Sequence, residues 1–429
     1  MKNNNSVVLF ITVLLLICLC LIPFKLMAQG VSNSAPARVL TVPADYSTIQ
    51  TAIDHANTGD TVFIQKGTYY CADININKSL KLIGEDATST IINGQSDNHR
   101  LHWGQSTIAI HASDVVLTGF NITNCDVAIS LSDRISRVNI TGNNIDNNLI
   151  GIRDSRITSQ SGEVYILGNN ITKNADQGIA IYSSNIFVFN NQISENNIGV
   201  NLNEGQNIVV GYNQIINNYG NIHLTVISGS SIFGNNITGG VGYNQNLDAY
   251  GYGIEFQYNC NDTLIYENNI FGNSYGLNLG NILLESNGFL IPRGLGNIIY
   301  KNNFFNNSVN ANIEHKYPSD VTGVVNGTIL VSWDNGSVGN FWDDYQTKYP
   351  NATELTDSGV GSTPYLIDEN NTDHYPLFAA MINIVTNEPI PTTSSEQPLE
   401  IIVNVTIPVI LVVFFLTFIV ALIIRRRKV

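Results

Sequence analysis

From Val164 onward one short phrase is written three times: VYILGNNITKNADQGIAIYSSN from Val164, FVFNNQISENNIGVNLNEGQN from Phe187 and VVGYNQIINNYGNIHLTVISG from Val209. Each copy holds an apolar strand, an Asn-rich corner, an isoleucine, a loop and a second apolar strand. Ile171, Ile193, Ile215 and Ile237 anchor the copies, so the step is 22 residues. Fixed steps of about 20–50 residues mark solenoids. Strands this short cannot bury a face alone, and no segment of the copies carries a helical stripe, so each coil has to stack on the next. Equivalent residues then lie about 4.8 Å apart, the spacing of paired strands, and equal positions become columns.

Asn recurs two residues before each anchor, at Asn143, Asn169, Asn191, Asn213, Asn235, Asn268 and Asn302. Two properties suit it to a corner: it tolerates left-handed backbone angles, and its amide can bond to copies above and below. The column reads as a structural ladder rather than a ligand site.

The ends of the chain are of another kind. Residues 1–28 carry Lys2, an apolar run from Val7 to Ile22 and a small Ala28, the pattern of a cleavable export signal. Residues 405–424, within which Ile407 to Ile424 is an apolar run of 18 residues, are long enough to cross a bilayer, and the basic tail 425–429 would stay cytoplasmic. Between them, residues 379–400 turn into a Pro, Thr and Ser stalk. The expected placement is the extracellular side of the cell membrane, single-pass, with the C-terminus inside. Residues 29–400 hold 14 basic and all 34 acidic residues, a net −20 that disfavours nucleic acid as a partner. Once the signal is gone Cys71, Cys125 and Cys260 remain; one pair plus one buried thiol is an open alternative to three thiols. Many N-x-S/T sequons fit export, although several are by-products of the repeated corner.

Before the coils, residues 41–60 read as a cap. Ser47 and Gln50 suggest a capping box; Ile49, Ala52, Ile53 and Ala56 form one apolar helical face, and Gly59 supplies the stop. Such a helix would cover the open first coil and its unpaired edges.

The phrases DYSTIQTAID, GDTV and KGTYY in this cap resemble the start of the right-handed parallel β-helix proteins of the pectin-lyase-like superfamily, most nearly the NosD-like surface and periplasmic proteins. GIAI at Gly178, GVNL at Gly199, GIEF at Gly253 and GLNL at Gly276 are similar to that group's first-sheet strand. GNFWDDY from Gly339 and STPYLIDENNTDHYPL from Ser362 resemble its aromatic closing phrase. The resemblance covers residues 40–378, with an aromatic C-terminal cap over 329–378. It implies an all-β, single-stranded right-handed parallel β-helix of about ten coils, to which the N-terminal helix and a C-terminal transmembrane helix are added. It implies little about activity, because this fold carries lyases, hydrolases, esterases and plain binding proteins.

Chemistry is sought where the step lengthens. Ile237 to Ile270 is 33 residues and Ile270 to Phe304 is 34, so two long loops bracket one sheet on adjacent coils. Strand alternation sends Ser130, Arg153, Ala180, Asn201, His223, Glu255 and Asn278 outward as one column, and Tyr182, Asn203, Thr225 and Gln257 as a second. His223 and Glu255 become neighbours, close enough to tune one another's protonation as an acid–base pair requires. Tyr243, Tyr250 and Tyr252 on the first insertion offer flat faces to a sugar ring. The expected substrate-binding set is therefore Arg153, Tyr182, Asn201, His223, Tyr250, Tyr252, Glu255 and Asn278.

Three functions follow as expectations. The first is a non-catalytic, monomeric surface protein binding an extracellular glycan or envelope polymer. The second is a polysaccharide lyase or glycoside hydrolase using His223 and Glu255. Against it, the superfamily's G-H-G with paired aspartates is missing, NDTL at Asn261 stands alone, and Arg153 lies several coils from Glu255. The third, implied by the NosD-like resemblance, is copper handling, for which His99 and His102 (with His111 nearby) are the candidate ligands. Calcium would look to Asp343 and Asp344, but TELTDSGVGS lacks most of the carboxylates of the related calcium-like phrase. No cofactor is demanded.

Overall fold

A computed structural model describes residues 36–71, 73–95, 106–154, 162–241, 251–257, 260–280, 283–286, 289–292, 296–313, 331–369 and 371–381. The signal (1–28), most of the stalk, the apolar segment 405–424 and the basic tail lie outside them. Among the described residues no helix is long and apolar enough to cross a membrane. Arg38 onward forms one unit, separate from Met1–Ala37.

Among the described residues, three parallel sheets of twelve, eleven and ten strands build that unit, and each coil from Thr61 to Ile313 contributes one strand to each. One coil runs Val164–Leu167, Asn170–Thr172 and Gln177–Ile181; the next repeats it as Ile186–Phe189, Gln192–Ser194 and Ile198–Asn203. Strand-to-strand register aligns Ile122, Ile145, Ile171, Ile193, Ile215, Ile237, Ile270 and Phe304 in one column. Each is fully buried. One such side chain contributes about 1.5–3 kcal/mol by leaving water.

The asparagine column is a hydrogen-bonded ladder. The Asn169 backbone N–H and Nδ2 donate to Asn191 Oδ1 at 2.9 and 3.1 Å, and Asn191 does the same to Asn213 at 2.9 and 3.0 Å. The spare amide hydrogen goes to a backbone carbonyl, as from Asn191 Nδ2 to Ile166 O at 2.8 Å. Every polar atom of these buried amides is thereby used, which is what makes their burial tolerable. The left-handed residue is the one before the ladder Asn: Gly142, Gly168, Asn190, Tyr212, Gly234, Glu267 and Lys301 carry the positive φ. Only the second of the two reasons expected for Asn, its amide, therefore holds at the ladder position.

A second ladder that sequence reading missed lies at the next corner, through Asn148, Asn174, Asn196 and Asn218. It explains the Gly of the G-I-x-L phrase. A Cβ at Gly178 or Gly199 would run into the backbone carbonyl of the paired residue on the following coil, Gly199 or Asn221, and into the ladder amide beside it, Asn196 or Asn218. Where the first insertion enters, the ladder position is Gly240, and here Asn221 stands in the glycine column instead. Asn218 Nδ2 donates to Asn221 Oδ1 at 2.9 Å and Asn221 Nδ2 to Asn273 Oδ1 at 3.1 Å, so Asn221 carries the ladder across the gap.

The cap helix spans Ile49–His55 and buries Ile49, Ala52 and Ile53 as its spacing predicts. Its capping box is made by Thr48 and Thr51, not Ser47 and Gln50: the Thr48 hydroxyl, one residue later, accepts from the Thr51 N–H at 3.1 Å. Gln50 instead reaches Asp54 and the Asn75 backbone. The first strand of the twelve-stranded sheet, Val39–Val42, precedes the helix and pairs with Thr61–Ile64. Buried Asp60 ties this entry down through Arg38 Nη2 at 2.7 Å. Burial pushes its carboxyl up, but donation from Arg38 and Asn57 prevails and holds it at about 2.

At the far end Trp342 stacks between Phe304 (4.7 Å) and Tyr365 (4.5 Å), continuing the core column as rings. Trp333 and Tyr345 are buried beside them, while Tyr375 stays exposed. Both ladders end here on carboxylates. Asn340 N–H donates to Asp373 Oδ2 at 2.7 Å, and Asn307 passes through Asn310 to Asp343 Oδ1 at 2.8 Å. The three cysteines are free thiols, which settles the alternative of a bonded pair in favour of none.

Candidate functional site

The outward column of the ten-stranded sheet is in register as alternation predicts: Ser130, Arg153, Ala180, Asn201, His223, Glu255 and Asn278 are successive partners, and Asn312 extends it. Thr225 pairs with Asn203 and Gln257 in the second column. Alternation slips at the glycine corner, so a residue three positions earlier also faces this side. Gln177 Oε1 accepts from Asn201 Nδ2 at 3.1 Å, and Ser106 Oγ, opposite Val127, accepts from Ser130 Oγ at 2.7 Å. Strict period-two reading could not find this additional column, although the recurring Gly marks where the phase changes.

His223 and Glu255 meet at its centre, Nε2 to Oε2 at 3.7 Å, with side chains 17% and 14% exposed. Thr225 Oγ1 lies 3.2 Å from the same Nε2. Burial pushes the imidazole below its ordinary pKa, opposed by hydrogen bonding to Gln257. Glu255 Oε1 accepts from Asn278 Nδ2 at 3.0 Å, and Asn278 Oδ1 accepts from Asn312 Nδ2 at 2.7 Å. Tyr252 is the first residue of the Glu255 strand and is only 7% exposed. Burial raises its phenol pKa, and the Glu255 carboxylate that accepts its hydrogen bond raises it further. It therefore fixes Glu255 and does not offer a free ring face, against the expectation of a sugar platform.

Among the described residues four buried side-chain polar atoms have no hydrogen-bond partner: Asn121 Oδ1, Asp146 Oδ1, Asn201 Oδ1 and His223 Nδ1. The last two sit on adjacent rungs of this column. Beside it, at the second ladder's corner, opens a groove of about 700 Å³ lined among others by Lys173, Glu195, Asn197, Asn217, Tyr219 and Val241. Val241 begins the first insertion, whose neck is pinched between Gly240 and Gly251.

The other expected residues fall elsewhere. Arg153 is three rungs from His223, and Tyr182 packs against Val127, Ile150 and Ala180. Tyr243, Tyr250, His99 and His102 lie outside the described residues. Asp343 ends a ladder and Asp344 accepts from the Tyr365 hydroxyl at 2.9 Å. Among the described residues no three His, Cys, Asp or Glu side chains stand close enough to hold a metal.

A row of aromatics on the outside of the twelve-stranded sheet also escaped sequence reading. Phe233 stacks on Tyr266 at 5.0 Å and Tyr266 on Tyr300 at 5.4 Å, within 18° of parallel. Their faces cover one another, so the row stabilises the stack and leaves ring edges, a poor surface for a sugar.

Residues 156–282 match a family model described as right handed beta helix region. With the three-sheeted coil above, this establishes the fold of the body as a right-handed parallel β-helix. No curated protein matches the sequence significantly. Solved structures similar to it include pectate lyase Pel9A (13% identity, 84% of this chain, 94% of that chain, TM-score 0.44). Others are the mannuronan C-5 epimerase AlgE4 A-module of Azotobacter vinelandii (13%, 64%, 94%, 0.41) and the endo-xylogalacturonan hydrolase of Aspergillus tubingensis (14%, 68%, 100%, 0.41). At these scores they decide nothing about this chain's chemistry.

Proposed function

We propose that this protein binds an extended glycan along the outer face of its ten-stranded sheet without transforming it. The observation that carries the reading is the pair of unpartnered buried atoms, Asn201 Oδ1 and His223 Nδ1, on adjacent rungs. Buried polar atoms are nearly always satisfied, and two unmet ones on adjacent rungs mark where a ligand's groups can be received. The face repeats with every coil, which suits a ligand that is itself a repeat.

Binding without turnover fits the site better than catalysis. The His223 ring has no partner at Nδ1 to orient it, as a general base ordinarily has. Glu255 is engaged by Asn278 and Tyr252, and the nearest cation of the column, Arg153, is three rungs off. The 3.7 Å approach of His223 to Glu255 favours a second reading, a lyase or hydrolase working through that pair. A glycan array read with the native ectodomain and with His223→Ala tests the first: binding that drops about tenfold in the variant is expected, and an array with no bound glycan rejects it. Product release that vanishes in Glu255→Gln would favour the second.

The apolar segments at 1–28 and 405–424 support export and tethering at the cell surface, and the NosD-like resemblance of the cap supports an envelope setting. Protease treatment of intact cells should remove the β-helix; its full protection would contradict this placement.

A further inference from the structure

Resting on the glycan reading, we infer that the site selects sugars that donate hydrogen bonds, neutral or amino sugars, and turns away uronates. The argument begins with which lone pairs are left over. Asn201 spends its amide hydrogen on Gln177 Oε1 at 3.1 Å, so the atom without a partner is the carbonyl oxygen, an acceptor. His223 has Nε2 facing two oxygens, Thr225 Oγ1 at 3.2 Å and Glu255 Oε2 at 3.7 Å. A proton on Nε2 suits both, and Nδ1 is then an acceptor as well. Glu255 continues the row one rung further as a carboxylate.

Three acceptors thus follow one another at the inter-strand spacing of about 4.8 Å. Two of them are unanswered, and Asn201 is only 7% exposed. Hydroxyl or ammonium hydrogens complete such a row. A carboxylate cannot: it brings more acceptors and a charge of the same sign as Glu255. The one cation among the described residues of the column is Arg153, three rungs or about 14 Å from His223. In the adjoining groove Lys173 is offset by Glu195, and the body as a whole is acidic. A uronate chain, with one carboxylate per sugar, would meet no matching series of cations.

The test is calorimetric titration of the native ectodomain with neutral oligosaccharides (cello-, xylo-, manno-), chitosan oligomers and size-matched oligogalacturonates and oligomannuronates. Neutral or amino sugars binding at least tenfold more tightly than uronates is the expected result. Uronates binding as tightly or more tightly overturns the inference and leaves the glycan reading standing; no saccharide binding at all overturns both, the two atoms then being met by ordered water. Glu255→Gln, checked by circular dichroism for an unchanged fold, should narrow the ratio between the two classes by about tenfold. A ratio that does not move shows that this carboxylate does not discriminate and overturns the inference from that side.

Discussion

Asp373 receives the end of a column of buried asparagines that passes from Asn143 to Asn340. Every rung donates toward the next coil, so the last needs an acceptor for the Asn340 N–H, which an oxygen of Asp373 provides. Its oxygens accept from Asn340 N–H, Trp342 Nε1 at 2.9 Å and Tyr375 N–H at 3.1 Å. Burial nonetheless pushes its carboxyl up to about 7, against those donors. The folded chain therefore retains a proton that the unfolded chain loses near the ordinary carboxyl value. The associated stability is full below that value and is lost as pH rises toward about 7. Urea midpoints of the native protein should fall across this range, while Asp373→Asn, which keeps an acceptor for Asn340, should flatten the fall. Asp373→Ala leaves buried donors unanswered and should cost about 2–4 kcal/mol; a loss under about 0.5 kcal/mol would show that the ladder needs no terminator.

Between elements, the pair Asn221 and Gly240 shows how the fold admits an insertion. The second ladder has to open where the chain leaves, because a Cβ at 240 would strike the Tyr252 carbonyl. Asn221 then occupies the space and restores the hydrogen bonds from Asn218 to Asn273. Gly240→Asn, which looks like a return to the repeat, should therefore destabilise by about 1–3 kcal/mol through overpacking. Asn221→Ala should destabilise by about 1–3 kcal/mol through unmet buried groups. Thermal melts of both variants decide it; a Gly240→Asn protein as stable as the native one would mean that the neck moves aside freely. The strand carrying Asn221 also carries His223, so the repair and the candidate site share one element.

On the scale of the whole molecule, each coil leans on its neighbours, and the end coils are where the stack is vulnerable. The helix Ile49–His55 covers the first core residues, and removing residues 36–57 would open apolar side chains and strand edges together. Light scattering should show such a truncation aggregating at concentrations where the native chain remains dispersed; a clear, monomeric truncation would show the cap to be dispensable. The 22-residue step, the isoleucine column, the Asn ladder and the outward row from Ser130 to Asn278 were all legible in the chain, because periodic side chains in a stack are set by local alternation repeated unchanged. What the tertiary structure added is whatever breaks the period. The phase slip at the glycine corner, the Asn221 replacement, the buried placement of Tyr252 and the carboxylates that close both ladders depend on contacts between coils. So does the pair of lone acceptors at Asn201 and His223: a residue's type states what it can bond, but only its neighbours in space determine which of its atoms is left without a partner.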